Sequence, residues 1–303
     1  MAMHFRGVLA LLIVTMVWGT TFPAMKELTA WFPPVWIVLF RFVLAGLVLA
    51  PFLLRARWPE YKVGLALGLF LFASFMFQLE GLALISANRN AFITGLNVLI
   101  VPLLGVAMGK LPERRIVVAV LLAVIGLAAL CWDGGVWSRG DTLTLISALF
   151  FGLYVKLMEV GTRKVNHLIA LTATQILTVA LCAALWLWLF EVPRTAIDAS
   201  VDAPNYGAYI WQGMRLYGWN LAYLGLFATA GIISLQTWGQ GHTNANEAAI
   251  IYAFEPGCAA IAAYFWVGES MTPLALLGAA LLIFGMIVSQ WQSANPKPLL
   301  VPD

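Results

Sequence analysis

Apolar residues along this chain come in long unbroken runs, and the polar residues gather in short gaps between them. A run of about 20 apolar residues suits a helix crossing about 30 Å of hydrocarbon. Ten runs qualify, at residues 8–27, 35–54, 62–85, 90–109, 116–132, 141–160, 168–190, 219–239, 247–267 and 272–291. Membrane-crossing strands would alternate in character over about ten residues, and these runs do not. The pattern predicts an all-α integral membrane protein of ten transmembrane helices.

Composition agrees with the pattern. Of 303 residues, 62% are hydrophobic and 10% charged, with a mean hydropathy of +0.90. Water-soluble domains carry about a quarter charged residues, so there is too little polar surface here to coat one. The first run is too long for a cleaved signal core and reads as the first span. A net charge of +3, scattered over short connections, gives no nucleic-acid platform. Cys131, Cys182 and Cys258 all fall in apolar runs and read as small packing residues rather than disulfide or metal partners.

Connections are short except for residues 191–218, a polar loop long enough for a surface-lying helix. Its Tyr209, Ile210, Trp211 and Met214 suit the headgroup level. With the N-terminus inside, the inner loops hold Arg6, Arg55, Arg57, Lys62, Lys110, Arg114, Arg115, Lys156, Arg163, Lys164 and Lys297. The outer loops hold only Lys26, Arg89, Arg139, Arg194 and Arg215. That excess predicts both termini in the cytoplasm.

The chain also repeats itself. Shifted by 133 positions, "RGVLALLIVTMVWGTTFPAMK" lies over "RGDTLTLISALFFGLYVKLME", with Gly19 opposite Gly152 and Met25 opposite Met158. At nearly the same offset Arg41 meets Gln175, and after a small gap Pro102 meets Pro256 and Glu113 meets Glu269. Two halves result, residues 1–135 and 136–303. Five spans per half is an odd number, so the second half enters the membrane inverted relative to the first. Inverted repeats around a central site are a common construction of secondary transporters.

The ordered motifs Trp18–Gly19, Arg41–Phe42, Pro102 with Glu113, Glu255–Pro256 and Gly268 to Gly285 resemble the EamA-type permeases of the drug/metabolite transporter superfamily, across nearly the whole chain. The resemblance implies a bacterial inner-membrane carrier that moves small metabolites and often exports amino acids. It also implies a cavity lined by the first, third, fourth, sixth, eighth and ninth spans. Two departures are "KLPER" around Glu113, where such proteins more usually place Gly before the Glu, and the long loop before the eighth span.

Several residues have the chemistry to line a pathway. Glu255 sits eight positions into the ninth run, about 12 Å deep at about 1.5 Å per residue. Ionisable groups at that depth face a bundle interior or water and commonly mark substrate or proton routes. Pro256 beside it predicts a kinked helix that frees a backbone carbonyl. Gln78 and Asn97 in the first half, and Gln236 and Trp238 in the second, are polar or amphipathic groups suited to binding or to joining helices. Trp18, Tyr154 and Tyr252 could stack on a planar substrate or simply pack. Arg41 and Glu80 fall at comparable depth and could pair, with an outward snorkel of Arg41 as the alternative. His242 to Glu247 read as a solvated inner connection, Lys156 with Glu159 as a rim pair, and Gly105 with Gly109 as a close-packing pair.

No phosphate loop, metalloprotease helix or nucleophile elbow is present in the sequence. The reading is therefore not an enzyme but a secondary transporter working by alternating access. Its partners would be a small-molecule substrate and the lipid bilayer, without cofactor, metal or nucleic acid, and with a homodimer left open. A membrane-embedded enzyme acting on lipid head groups and a non-transporting sensor or assembly subunit are the competing readings.

Overall fold

The structure, a computed structural model, describes residues 2–107, 109, 111–131, 136–191, 203–267 and 272–290. Among these the chain is helical throughout, without strands. Seven continuous helical runs are long and apolar enough to cross a membrane: Met3–Thr29, Pro34–Arg55, Trp58–Leu84, Ala87–Ala107, Arg139–Thr162, Leu168–Phe190 and Gly218–Gln240. The remaining three apolar stretches fall on Arg114–Cys131, on a helix interrupted at residues 253–254, and on Pro273–Gln290. Glu269 and the start of the closing motif lie outside the described residues, as do 192–202 of the long loop.

The helices are α1 Ala2–Thr29, α2 Pro34–Leu49, α3 Trp58–Leu84, α4 Ala87–Gly95, α5 Asn97–Ala107, α6 Arg114–Cys131, α7 Arg139–Thr162 and α8 Leu168–Trp186. After the loop come α9 Ala203–Leu216, α10 Gly218–Ala222, α11 Ile232–Gln240, α12 Ala245–Tyr252, α13 Glu255–Val267 and α14 Pro273–Gln290. A stretch of wide π-helical turns, Tyr223–Gly231, joins α10 to α11.

Local sequence sets the starts. Pro34 and Pro59 sit in the first turns of α2 and α3, where a missing N–H costs nothing. Ser86, Ser138 and Asn244 cap α4, α7 and α12 by accepting from the N–H groups of Arg89, Asp141 and Glu247. The interior is largely apolar but also holds polar groups, with Arg41, Gln78, Asn97, Gln175 and Gln236 all buried. Leu47, Leu69, Leu121 and Leu181 stand on the outside. Polar groups turned inward and leucines turned outward are what hydrocarbon surroundings select.

Packing runs mostly between the two chain halves. α1 lies against α11 and α13, α2 against α8, α3 against α7 and α8, α4 against α7 and α13, and α6 against α14. At the α1–α13 crossing, a Cβ added to Gly19 would stand 2.5 Å from the Cβ of Cys258 and 2.8 Å from the Ala259 nitrogen. Only glycine admits that approach. Gly109, expected to pack between helices, instead has φ +75° with open space around it. It belongs to a turn, where the absence of a Cβ serves the backbone rather than a neighbour.

The long loop does hold a helix, α9. Its Tyr209 stacks on Trp31 at 4.8 Å and donates to the Trp31 carbonyl at 2.9 Å, while Ile210 is buried. The aromatic pair pins α9 across the α1–α2 turn.

Candidate functional site

Where the halves meet, side chains from both line a narrow cavity whose free volume in this conformation is about 20 Å³, room for little more than a water molecule. α1 supplies Trp18, Thr21, Phe22 and Met25, α2 supplies Arg41, and α3 supplies Phe75 and Gln78. Thr94 and Asn97 come from the α4–α5 region, Phe151 and Val155 from α7. Gln236, Tyr252 and Glu255 complete it from α11, α12 and α13.

Two interrupted helices give the site its shape. α4 ends at Gly95 and the chain restarts as α5 at Asn97; α12 ends at Tyr252 and restarts as α13 at Glu255. A carboxylate at a helix N-terminus meets free N–H groups and the positive end of the helix dipole. This explains how Glu255 is accommodated among apolar neighbours. It also corrects the expected kink: Pro256 begins a new helix rather than bending a continuous one. In that first turn its missing donor is no loss. Pro256 faces the other break, with its Cγ 3.3 Å from where a Cβ on Gly95 would stand.

Arg41 is 1% exposed, so the outward snorkel does not occur. Its Nε donates to Thr229 Oγ1 at 2.9 Å, its Nη1 meets Met25 Sδ at 3.2 Å, and its guanidinium lies 4.5 Å over the Phe75 ring. The partner expected from span depth was Glu80. The contacts with Thr229 and Phe75 turn Arg41 to the cavity instead. Thr229 lies in the π-helical stretch and donates to the Leu224 carbonyl at 2.7 Å, a wide-turn geometry frequent at functional sites. Arg41 and Glu255 line the same cavity.

The neutral groups are partly satisfied. Gln78 Nε2 donates to Thr94 Oγ1 at 3.5 Å. Trp18 Nε1 donates to the Ala228 carbonyl at 3.4 Å, and the Trp18 and Tyr252 rings lie 5.7 Å apart. Asn97 Oδ1 and the Tyr252 hydroxyl are buried without a hydrogen-bond partner; Gln236 lies near the hydroxyl but outside bonding geometry. Buried polar atoms left open are costly, and at a cavity wall they suit a bound polar molecule or water.

Of the residues singled out from sequence, the cavity gathers Trp18, Gln78, Asn97, Gln236, Tyr252 and Glu255, together with Arg41, which was expected as a structural charge. Tyr154, Trp238 and Pro256 do not line it. The Tyr154 hydroxyl, fully buried, is directed at Gln175 Oε1 at 3.0 Å and Gln236 Oε1 at 3.4 Å, so it braces a lining residue from behind. Trp238 packs on His242 with centroids 4.6 Å apart. The His242–Glu247 connection is not a solvated loop, because Thr243 and Glu247 are buried and Glu247 closes a capping box with Asn244. Lys156 bonds Glu159, which also receives Arg163 at 3.3 Å.

Sequence reasoning missed Thr21, Phe22, Met25, Phe75, Thr94, Phe151 and Val155 as lining residues. The repeat could have found some of them. Phe151 and Val155 stand 133 positions after Trp18 and Phe22. Among the described residues no cluster of His, Cys, Asp and Glu is arranged to hold a metal ion.

Comparison with known proteins follows the same division of the chain. The sequence profile of the EamA-like transporter family matches residues 5–132 and again residues 138–290. Two curated relatives, both from Archaeoglobus fulgidus and both named "Uncharacterized transporter", are similar over most of their length. One is 28% identical over 281 residues, covering 92% of this chain and 84% of the relative. The other is 23% identical over 257 residues, covering 84% and 85%. A solved structure described only as "Crystal structure of protein" shares the fold with a TM-score of 0.66 at 19% identity, over 93% of this chain and 95% of that one.

Proposed function

The chain belongs to the EamA-like transporter family, a multi-pass membrane transporter rather than an enzyme, and we propose that it carries small zwitterionic metabolites by alternating access. The substrate class favoured is an α-amino acid with an apolar or aromatic side chain. Arg41 receives the carboxylate, Glu255 receives the ammonium, and Trp18, Phe22, Phe75, Phe151 and Tyr252 surround the side chain.

The observation that carries this reading is a pairing within the cavity wall. Gln78 and Gln236, Thr94 and Tyr252, and Asn97 and Glu255 are each 158 positions apart, as are the helix caps Ser86 and Asn244, a register that replaces the expected match of Pro102 with Pro256 because Pro102 lies inside its helix and Pro256 in a first turn. The wall is thus built twice from related pieces. It departs from neutrality at two places: Glu255 stands where the first half has Asn97, and Arg41 where the second half has Gln175. One positive and one negative group, contributed by different halves, favour a dipolar ligand over a net-charged one.

The packing supports a division into two inverted five-helix repeats, residues 1–135 and 136–303. Exchanging each helix with its counterpart keeps the main contacts: α1 on α13 becomes α7 on α5, α1 on α11 becomes α7 on α3, and α2 on α8 and α6 on α14 map onto themselves. Such a molecule reaches its two access states by exchanging the conformations of its halves. The cytoplasmic excess of Lys and Arg supports an inner-membrane protein with both termini inside, and the exporting direction follows from the family resemblance.

The test is a thermal-shift screen of the purified protein, followed by uptake and efflux in liposomes. Amino acids are compared with analogues lacking either the carboxylate or the amine. Stabilisation by the zwitterion alone is expected. Equal stabilisation by the amine-only analogue would remove Arg41 from the binding role, and substrate consumed without crossing the bilayer would overturn the carrier reading.

A further inference from the structure

A second groove opens away from the central cavity, on the outer surface between the start of α3 and the end of α7. Its floor is apolar, made by Val63, Ala66, Leu157 and Val160, and its mouth carries Lys62, Lys164 and Trp58. Lys62 Nζ lies 5.1 Å over the Trp58 ring, which is 70% exposed. We propose that this groove binds one anionic phospholipid of the surrounding leaflet, with the phosphate between Lys62 and Lys164 and an acyl chain along the apolar floor. The site is independent of the transport reading.

Two features separate it from ordinary bilayer contact. The lysines come from different elements, and a buried carboxylate ties together the backbone turns beside them. Glu60, 1% exposed, accepts from the backbone nitrogens of Asn166 and His167 at 3.0 and 3.2 Å through one oxygen. Its other oxygen accepts from the Arg57 nitrogen at 3.0 Å. The turn bearing Lys164 is therefore tied to the turn bearing Trp58 and Lys62 before any lipid arrives, which lowers the ordering cost of binding. The chemistry is also two-part. Paired cations at the mouth suit a phosphate, an apolar slot suits a chain, and the exposed indole suits the interface between them. A free phosphate would satisfy only the mouth.

The experiment is native mass spectrometry of the full chain in detergent with added phosphatidylglycerol, phosphatidylcholine or inorganic phosphate. One retained phosphatidylglycerol is expected, with no matching retention of phosphatidylcholine or of phosphate. Lys62→Gln with Lys164→Gln should weaken retention about thirtyfold, the usual contribution of two basic side chains at an anionic surface. The Arg pair at the same positions should restore it. Ala66→Trp fills the slot with the lysines intact and should also abolish retention, which keeps the test decisive if the Gln pair folds poorly. Equal retention of phosphatidylcholine, equal retention of inorganic phosphate, or an equal loss from Arg6→Gln with Arg114→Gln would each overturn the proposal.

Discussion

Arg89 grips Asp141 with two bonds, Nε to Oδ1 at 2.5 Å and Nη2 to Oδ2 at 3.0 Å, and so joins the first turn of α4 to the first turn of α7. Glu247, which stands 158 positions after Arg89, reaches the start of α1 through a single contact, with Oε2 3.0 Å from His4 Nε2. Each clasp bridges the two halves, and in an inverted repeat they lie at opposite ends. An access change that opens one end must release the clasp there. Asp141→Asn removes the charge that receives both of these Arg89 bonds. A loss of about 3 kcal/mol is expected from removing one member of a largely buried pair, read as a lowered midpoint of thermal unfolding. Removing both partners together should cost less than removing Asp141 alone.

Glu255→Gln keeps the shape of the side chain at the start of α13 and removes its charge. Transport in liposomes should fall about ten- to a hundredfold, the usual share of a charge-assisted hydrogen bond. Thermal stability should stay within a few degrees. Unchanged transport by this variant would sink the role assigned to Glu255.

Asn97 and Glu255 occupy matching places at the two helix restarts. Moving the acid across, as Asn97→Glu combined with Glu255→Asn, should recover part of the transport lost by Glu255→Asn alone. The carboxylate still opens a helix at the cavity wall in the double variant. No recovery would mean that Arg41 requires the acid on one particular side.

Gly19→Ala should destabilise by about 1–3 kcal/mol, the usual cost of overpacking, in a thermal unfolding measurement. Cys258→Ala is not expected to rescue it. The obstruction comes from the Cβ of residue 258 and the Ala259 nitrogen, which the second change leaves in position.

Much of this molecule was legible before any coordinates, because hydrocarbon imposes one rule on every lipid-facing residue. Runs of apolar residues marked the helices, and the shift of 133 marked the relation between α1 and α7. The interruptions were not legible as such. A break after Gly95 or Tyr252 leaves the hydropathy of a run untouched, and Pro256 reads equally as a kink or as a helix start. Arg41 illustrates a second limit. Depth along a helix placed it near Glu80, but direction around the helix decides its partner, and that depends on how α2 packs against the π-helical stretch. Tyr154 marks the third. Its hydroxyl serves Gln236 from behind the wall, a role set by packing between helices that no spacing reveals.

The wide turns at Tyr223–Gly231 store surplus chain beside Arg41. Were that stretch wound to ordinary pitch, everything beyond it would swivel by roughly 100° for each residue taken up. Gln236 would then rotate out of the wall, and Thr229 would release the guanidinium it now steadies. A rod with such slack in its winding can present a different face to the passenger without bending at all.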